Sequence, residues 1–145
     1  MSGSRTAVVI GGASGIGRAT VGVLHDNGFR VVIGDVNVDA ANEVASGYDS
    51  RVEAIGVDVT DETSVQDGLE SVGSFHAVVN TAGLSIPGAI TDLDLAAWHT
   101  TIEVCLTGTF LVLKHAGRLI ADGGSAVCIA SLNGRQPGAG MASYC

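Results

Sequence analysis

The stretch IGGASGIG, residues 10–17, joins the short apolar run TAVVI to a segment with helical character. Glycine has no Cβ, so a glycine-rich turn lets the backbone bend sharply and come close to a phosphate. A helix that starts directly after such a turn presents its N–H groups and the positive end of its dipole to that phosphate. Glycines alone are a weak signal, but these lie between a strand and a helix, as the mechanism requires. We therefore predict a dinucleotide site with contacts from Gly11, Ser14, Gly15, Ile16 and Gly17.

Apolar runs alternate with helical segments along the whole chain. The apolar runs are Thr6–Gly11, Arg30–Asp35, Val52–Asp58, His76–Asn80 and Ser125–Ser131. The helical segments between them are Gly17–Asn27, Asp39–Ala45, Asp61–Val72 and Leu95–Ile120. Continuous apolar character predicts strands covered on both faces, and the alternation predicts right-handed crossovers. The expected fold is α/β, a Rossmann-type doubly wound parallel sheet.

Residues 1–145 are expected to form a single dinucleotide-binding domain that is incomplete at its C-terminus. No helix or edge strand is recognisable after Ser131, so we expect the C-terminal helix and last strands of such a sheet to be absent from this chain. In the first helical segment, the predicted apolar stripe is Ala19, Val23 and Leu24. Gly28 has the residue type and position of a C-cap, and Asp61 those of an N-cap.

An acidic residue ends the second apolar run. Asp35 lies 18 residues after Gly17, where a carboxylate can accept hydrogen bonds from an adenosine ribose and repel a 2′-phosphate. The next residue is Val36, and Ser14 in the glycine stretch is uncharged, whereas an NADP site needs Arg or Lys near these points. The pattern therefore favours NAD over NADP.

The ends of the third and fourth runs supply further candidate contacts. Asp58 and Val59 are both predicted cofactor contacts, and the Asp58 carboxylate is placed where it can accept a hydrogen bond from an adenine amino group. In NTAG, residues 80–83, small side chains let the chain pass close beneath a cofactor. We predict contacts from Asn80, Ala82 and Gly83, with the alternative that the Asn80 amide ties neighbouring loops together.

Composition and charge argue against several functional classes. The chain carries 15 acidic residues against 7 Lys and Arg, a net charge of −8, so nucleic-acid binding is not expected. No apolar stretch approaches the roughly 18–20 residues that a bilayer requires, so no membrane span is expected. The stretch MSGSRTAVVIGGASG lacks the order of a signal peptide. The odd number and wide spacing of the cysteines predict a reduced chain with a cytoplasmic location. The 3 cysteines and 4 histidines have no ligand spacing, so no metal site is predicted.

Together, the motifs resemble the short-chain dehydrogenase/reductase family over essentially the whole chain. They are GGASGIG, Asp35, DVTD at residues 58–61, NTAG, AAWHTTIEVCLTGTF, Ser131 and Tyr144. Ser131 and Tyr144 are 13 residues apart, the separation that family members commonly have between their catalytic serine and tyrosine. Order and spacing, rather than any single motif, carry the resemblance.

The resemblance implies an NAD-dependent oxidoreductase that interconverts a secondary alcohol and a ketone by hydride transfer. Tyr144 would be the acid/base catalyst, and Ser131 would hold the substrate oxygen near the tyrosine and the nicotinamide. In the family, a lysine four residues after the tyrosine stabilises the phenolate. The implied partners are a small-molecule alcohol or ketone and, in the full-length protein, further copies of itself in a dimer or tetramer.

The chain departs from the family pattern at several places. Ile10 replaces a threonine, which costs a side-chain hydrogen bond, and Thr81 replaces an asparagine. Cys105 replaces an asparagine that helps to kink the long helix and to hold a water in the proton relay. A thiol there predicts either a weakened relay or a buried cysteine without a chemical role. The family lysine would come after Cys145, so we expect a fragment that is nearly inactive by itself.

A second function stays open beside catalysis. A non-catalytic module of the same fold could bind or sense the dinucleotide, and Cys105 and the missing lysine favour this alternative. Ser131 and Tyr144 argue against it. The sequence does not identify a substrate, but it predicts that Leu84–Ile90 and Leu132–Gly140 line the substrate pocket.

Overall fold

The strands and helices follow the predicted alternation. The computed structural model describes residues 5–145. Its strands are β1 (Thr6–Ile10), β2 (Arg30–Asp35), β3 (Val52–Gly56), β4 (Phe75–Asn80) and β5 (Ile120–Cys128). Its helices are α1 (Gly15–Asp26), α2 (Val38–Ser46), α3 (Glu62–Val72), α4 (Leu95–Ile102) and α5 (Gly108–Ala116). A π-helical turn, Glu103–Thr107, joins α4 to α5, and a 3-10 turn covers Leu132–Gly134. Residues 1–4, the start of the stretch in which no signal peptide is predicted, lie outside the described residues.

All five strands run parallel in one sheet, in the order β3-β2-β1-β4-β5. The central strand is β1, where Val8 pairs with Val32 of β2 on one side and with Val78 of β4 on the other. The strand order reverses between β1 and β4, so the carboxyl ends of these two strands border a crevice. The predicted Rossmann-type doubly wound sheet is thus confirmed.

Helices cover both faces of the sheet and enclose two apolar cores. On one face, α1 and α2 pack against β1, β2 and β3, with Val21 of α1 fully buried. On the other face, α3 and α5 pack against β1, β2 and β4 through residues such as Leu69 and Val112. Successive β1 side chains point to opposite faces, so Val8 and Val9 enter different cores. This double burial explains the unbroken apolar run of β1 in the sequence.

The buried stripe of α1 differs from the predicted one. Gly17 and Val21 are its buried residues, whereas Ala19 and Val23 are exposed, Val23 by 62%. Only Leu24 of the predicted stripe packs against the core. The prediction fails because the helix turns a glycine toward the sheet, and a search for apolar periodicity does not count glycine as a core residue.

Of the two predicted helix caps, the N-cap Asp61 is confirmed, whereas the C-cap of α1 is one residue earlier than the predicted Gly28. Gly28 follows the C-cap residue Asn27 and has a φ of +82°, the left-handed conformation that favours glycine after a helix. Asp61 is the N-cap of α3, where its carboxylate accepts hydrogen bonds from the N–H groups of Thr63 and Ser64.

The last strand departs from the prediction. The long helix ends at Ala116, and Ile120 already begins β5, which passes through the glycine pair 123–124 with a register shift against β4. The sequence pattern of the glycine pair 123–124 is typical of a turn, so the strand was predicted to begin after it, at Ser125, rather than at Ile120. Within residues 5–145, β5 is an edge strand, and its Val127 is 47% exposed. The prediction that this strand is covered on both faces is wrong for the described residues.

The long helix formed by α4, the π turn and α5 is apolar. Leu95–Ala116 spans 22 residues and contains an 18-residue window with a mean hydropathy of 1.2, so within residues 5–145 it meets the length and composition of a membrane span. The prediction that no apolar stretch approaches this length is therefore wrong. The finding is weak evidence for a membrane, since core helices also meet the criterion. Here α5 packs on the sheet through Leu111 and Val112.

A small charge cluster lies before β3. Asp49 Oδ2 is 2.9 Å from Arg51 Nη2 and 3.3 Å from His25 Nε2. The side-chain hydrogen bonds from Arg51, followed by its backbone N–H, lower the pKa of Asp49 from 3.8 to about 2. The cluster connects this loop to the end of α1, because Arg51 also donates to the His25 carbonyl.

Asp49→Asn should reduce the acid sensitivity of the fold. A carboxylate whose pKa is lowered by folding stabilises the fold above its unfolded pKa, and this contribution is lost as pH falls from about 4 towards 2. The variant should be less stable than the parent at pH 6, and its stability should fall less between pH 4 and pH 2. Denaturant titrations across this range measure both, with the exposed α3 residue in Asp67→Asn as control. Identical pH profiles for parent and Asp49→Asn would contradict the prediction.

Candidate active site

The glycine loop brings α1 against the end of β1 with no side chain between them. Gly11 and Gly15 have left-handed backbone conformations, with φ of +77° and +50°. A Cβ at Gly17 would lie 2.2 Å from the carbonyl oxygen of Gly11, where no real Cβ is found. Because the opposing atoms are backbone, they cannot rotate away, and the contact requires glycine.

The N-terminus of α1 is open to an anion. Ser14 is its N-cap residue and makes no side-chain capping hydrogen bond, and the first turn has no acidic residue. The first-turn N–H groups, which include those of Gly15 and Ile16, therefore keep their capacity to donate, and the helix dipole adds positive potential. With the side-chain-free approach at Gly11 and Gly17, this geometry fits a dinucleotide pyrophosphate.

Thr81 holds the glycine loop to the loop after β4. Its Oγ1 donates to the carbonyl of Ile10 at 2.8 Å and to that of Gly11 at 3.1 Å, and its N–H donates to Ile10 at 2.8 Å. Ile10 cannot make the side-chain hydrogen bond of the family's usual threonine. The Thr81 hydroxyl, from the loop after β4, bonds to this turn instead. From the sequence, Thr81 was predicted only to be a departure from the family motif. The signal that could have revealed it was a hydroxyl directly after a strand that neighbours β1.

Asp35 ends β2 beside the glycine loop. Its Oδ2 accepts from the N–H of Ala13 at 3.0 Å, and its Oδ1 accepts from the N–H of Asn37 at 3.0 Å. These bonds fix the carboxylate, whose other lone pairs can accept from ribose hydroxyls. The neighbouring Val36 is 73% exposed and supplies no positive charge.

Asp58 and Val59 follow β3 and border the same crevice. The Asp58 Oδ1 accepts from the N–H of Thr60 at 2.9 Å and from its hydroxyl at 2.7 Å. Val59 is buried, and a Cβ at Gly108 of α5 would lie 2.9 Å from its side chain. The two residues therefore sit where β3 and α5 come close together.

Asn80 ends β4 and uses both ends of its amide within the protein. Its Oδ1 accepts from the N–H of Ala82 at 3.2 Å, and its Nδ2 donates to Thr109 Oγ1 at 3.1 Å. The side chain is buried, with 3% of the residue exposed. This geometry favours the alternative in which Asn80 ties neighbouring segments together.

Two open cavities meet at the loop after β4. The first, of ≈ 250 Å³, is bordered by the glycine loop and the ends of β2 and β3, with these predicted contacts in its wall: Gly11, Ser14, Asp35, Asp58 and Val59. The second, of ≈ 580 Å³, has these predicted site residues in its wall: Ile16, Ser131 and Tyr144. Both cavities share residues 81–84, which include the predicted contacts Ala82 and Gly83. Gly15, Gly17 and Asn80 line neither cavity.

Ser131 and Tyr144 lie in the wall of the second cavity. Ser131 caps the 3-10 turn, and its Oγ accepts from the N–H of Asn133 at 3.2 Å. Because this bond uses only acceptor capacity, the hydroxyl proton can still be donated to a bound oxygen. Tyr144 is half-buried, and its N–H donates to the carbonyl of Met141 at 3.0 Å.

Cys105 lies in the π turn and also lines the second cavity. Its Sγ donates to the carbonyl of Leu84 at 3.2 Å and accepts from the N–H of Leu84 at 3.5 Å. The thiol is half-buried, so it is not the fully buried cysteine of one sequence interpretation. Its two bonds give it a structural role that the sequence did not predict, which is to hold the loop after β4 against the helix.

Two segments predicted to line a substrate pocket lie side by side. The N–H of Gly88 donates to the carbonyl of Gly140 at 2.8 Å, and Gly88 pairs with Met141 as an isolated parallel bridge. The Ser85 hydroxyl contacts Met141 Sδ at 3.1 Å. Of the predicted segments, Leu84, Ser85 and Gly134 line the second cavity. Within residues 5–145, no group of three or more His, Cys, Asp or Glu side chains could hold a metal ion.

Gly17→Ala should disrupt the glycine loop. The new methyl group would meet the Gly11 carbonyl at 2.2 Å, so α1 must move away from β1. We expect a loss of about 2–3 kcal/mol in stability, measured by denaturant unfolding, and loss of NADH binding, measured by calorimetry. Gly56→Ala is the matched control, because its Cβ would make only an ordinary contact at 3.9 Å with Val38. Equal effects of the two substitutions would contradict the close-contact explanation.

Comparison with known proteins agrees with this geometry. The family described as short chain dehydrogenase matches residues 5–145. The chain is 42% identical over 150 residues to a cis-4-hydroxycyclohexanecarboxylate dehydrogenase of Sinomonas cyclohexanicum, with 97% of this chain and 60% of that protein covered. It is 36% identical over 154 residues to a 2,5-dichloro-2,5-cyclohexadiene-1,4-diol dehydrogenase of Sphingobium indicum, with the same coverage of 97% and 60%.

Solved structures of dehydrogenases have the same fold as this chain. A short-chain dehydrogenase/reductase from Brucella melitensis, described as a glucose/ribitol dehydrogenase, superimposes with a TM-score of 0.92 at 27% identity, covering 97% of this chain and 62% of that one. A sorbitol-6-phosphate 2-dehydrogenase from Erwinia amylovora gives a TM-score of 0.88 at 29% identity, covering 95% and 59%. The chain spans about 60% of the length of these relatives. From its sequence match and its fold, the chain belongs to the short-chain dehydrogenase/reductase family.

Proposed function

We propose that this chain is the cofactor-binding part of an NAD-dependent oxidoreductase that interconverts a secondary alcohol and a ketone. The observation that carries the proposal is that Ser131 and Tyr144 share one cavity, and that this cavity meets the glycine-loop cavity at residues 81–84. A substrate oxygen between the two side chains would therefore lie next to a dinucleotide that begins at the glycine loop.

The residues of the first cavity suit NAD. The first turn of α1 would hold the pyrophosphate, Asp35 the adenosine ribose and Asp58 the adenine amino group. Ala82 and Gly83 would lie beneath the cofactor between the two cavities. A 2′-phosphate would face the Asp35 carboxylate with no cation from Val36, so NAD is favoured over NADP. When bound, NAD supplies the hydride acceptor, and NADH the hydride donor.

Tyr144 and Ser131 would handle the proton and the oxygen. Tyr144 would accept the alcohol proton in oxidation and return it to the ketone oxygen in reduction. Ser131 would donate a hydrogen bond to the same oxygen, without transferring its proton, and fix the position of that oxygen. An ordinary tyrosine has a pKa of about 10 and is a poor base near pH 7 unless a cation stabilises its phenolate. No Lys or Arg among residues 5–145 lines this cavity, so we expect the 145-residue chain alone to be nearly inactive.

The substrate we propose is a cyclic secondary alcohol. Two relatives described above are dehydrogenases of hydroxylated six-membered rings. The second cavity places apolar groups of Leu84, Ile129 and Ala130 beside Ser131, which suits a ring with a single reacting hydroxyl. For the full-length protein, a cytoplasmic homo-oligomer remains our expectation.

The second candidate is a module that binds the dinucleotide without chemistry. The observation in its favour is the absence of a Lys or Arg from the Tyr144 cavity within the described residues, together with a thiol at position 105. Binding of NADH without turnover in a protein of full family length would support this candidate.

Replacing Asp35 should exchange the cofactor preference. In Asp35→Ala/Val36→Arg, the ribose acceptor is removed and a cation is placed where a 2′-phosphate would lie. We expect weaker NADH binding and stronger NADPH binding than in the parent, each by about tenfold or more, in calorimetric titrations. Val36→Ala is the control for the neighbouring change. A parent chain that already binds NADPH more tightly than NADH would contradict our interpretation of Asp35.

A chimera tests the catalytic assignment. This chain would be joined to the part of the Sinomonas cyclohexanicum relative that the match does not cover. We expect turnover of cis-4-hydroxycyclohexanecarboxylate with NAD by the chimera and none by the chain alone. Tyr144→Phe should lower kcat by about 10²–10⁴-fold with NADH binding unchanged, while Tyr48→Phe should be neutral. Clear turnover by the chain alone, or by the Tyr144→Phe chimera, would contradict the assignment.

A further inference from the structure

One face of the long helix carries polar residues at intervals of four, Thr101, Cys105 and Thr109. Residues four apart lie on the same side of a helix. Each of these three side chains bonds to a different segment of the candidate site. The proposed chemistry uses none of these three side chains.

Thr109 and Cys105 hold the strand end and the loop that both cavities share. Thr109 Oγ1 accepts from Asn80 Nδ2 at 3.1 Å and donates to the carbonyl of Cys105 at 2.8 Å. Cys105 Sγ bonds to both backbone groups of Leu84, at 3.2 and 3.5 Å. These two residues thus fix the cofactor side of the crevice.

Thr101 holds the segment that carries Tyr144. Thr101 is fully buried, with 0% exposure, and its hydroxyl proton is donated to the carbonyl of Ala97 at 3.0 Å. The Ser143 hydroxyl is 3.3 Å from Thr101 Oγ1, so Ser143 is the donor and Thr101 the acceptor. Ser143 is itself 7% exposed and immediately precedes Tyr144.

A tight turn at residues 141–145 links the Ser143–Thr101 hydrogen bond to the position of Tyr144. The N–H groups of Tyr144 and Cys145 both donate to the carbonyl of Met141, at 3.0 and 2.9 Å. The turn leaves the backbone of residues 141–145 little freedom once Ser143 is fixed to α4. The buried Ser143–Thr101 hydrogen bond therefore holds the segment that carries Tyr144 to α4, while the Gly88–Gly140 hydrogen bond holds it to the loop after β4.

Thr100, the neighbour of Thr101 in α4, has no hydrogen bond to Ser143. Its hydroxyl donates to the carbonyl of Ala96 at 2.9 Å, as Thr101 does to Ala97, but Thr100 is exposed and Ser143 bonds to Thr101. Back-bonding to the preceding turn is common for threonine in helices and has no functional implication by itself. The bond from Ser143 is what distinguishes Thr101.

We propose that Thr101 and Ser143 are positioning residues for Tyr144. Their buried hydrogen bond docks the tyrosine segment on the same helix face that holds the cofactor side of the crevice, so one helix sets both sides of the reacting geometry. The proposal rests on the proposed function, because it assigns a purpose to the position of Tyr144. It concerns residues that touch neither substrate nor cofactor.

The test uses fluorine NMR on the 145-residue chain. In a Tyr48→Phe background, incorporated 3-fluorotyrosine gives a single signal, from Tyr144. We expect NAD⁺ to shift this signal in the parent, since the ring lies next to the proposed nicotinamide position. Thr101→Val keeps the size of the side chain and removes the hydroxyl, and Ser143→Ala removes the other partner. Both should lose the NAD⁺-induced shift, and the double variant should lose no more than either single one.

Thr101→Ser and Thr100→Val serve as controls. Thr101→Ser keeps the hydroxyl and should retain the shift, and Thr100→Val makes the same chemical change on the exposed side and should also retain it. Retention of the shift in Thr101→Val would overturn the proposal. Equal loss in Thr101→Ser and Thr101→Val would also overturn it, because the methyl group rather than the hydroxyl would then be responsible.

The fluorine signal of Tyr144 measured without NAD⁺ tests this proposal independently of the proposed function. If NAD⁺ leaves the parent signal unchanged, the proposed function fails. In that case, the signals without cofactor still test the tether. If the cofactor-free Tyr144 signal of Thr101→Val differs from the parent signal in chemical shift or is narrower, and that of Thr101→Ser does not, the Ser143–Thr101 hydrogen bond positions Tyr144. If Thr101→Val and Thr101→Ser give identical signals, the proposal is overturned.

Discussion

The site depends on one backbone contact, between the first turn of α1 and the end of β1. Gly17 packs on the carbonyl of Gly11, and a Cβ would meet it at 2.2 Å. Because this contact excludes every side chain, α1 can begin directly above the central strand, with its N–H groups facing the crevice. Thr81 then bonds to the carbonyls of the same turn and brings the loop after β4 alongside. The two cavities meet where these three segments converge.

The long helix serves three environments at once. Leu111 and Val112 enter the core, Cys105 lines the second cavity, and Leu106 is 65% exposed. The helix is apolar enough to resemble a membrane span because its exposed side also carries large apolar residues, among them Leu95, Leu106 and Phe110.

The sequence predicted the parts of the structure that depend on local chemistry. The glycine loop, the strand-end Asp35 and the N-cap Asp61 each place a particular residue type at the junction of a strand or loop with a helix, so their positions are readable without a structure. The roles of Thr81 and Thr101 were not readable, because hydroxyls are common in loops and helices and gain meaning only from a partner distant in sequence. The strand β5 was misjudged because burial depends on what lies over a strand, and an apolar run does not reveal that.

The π turn between α4 and α5 has a consequence for rotation. In a regular α-helix each residue turns by about 100°, so side chains four apart drift by about 40°, and those eight apart by about 80°. The wider turn at Glu103–Thr107 accommodates an extra residue and offsets this drift, so that Thr101 and Thr109 can serve the same crevice. The rotation of Thr101 relative to Thr109 about the helix axis is therefore a property of the site in its own right. A deletion of one residue from that turn would rotate one half of the site out of line with the other.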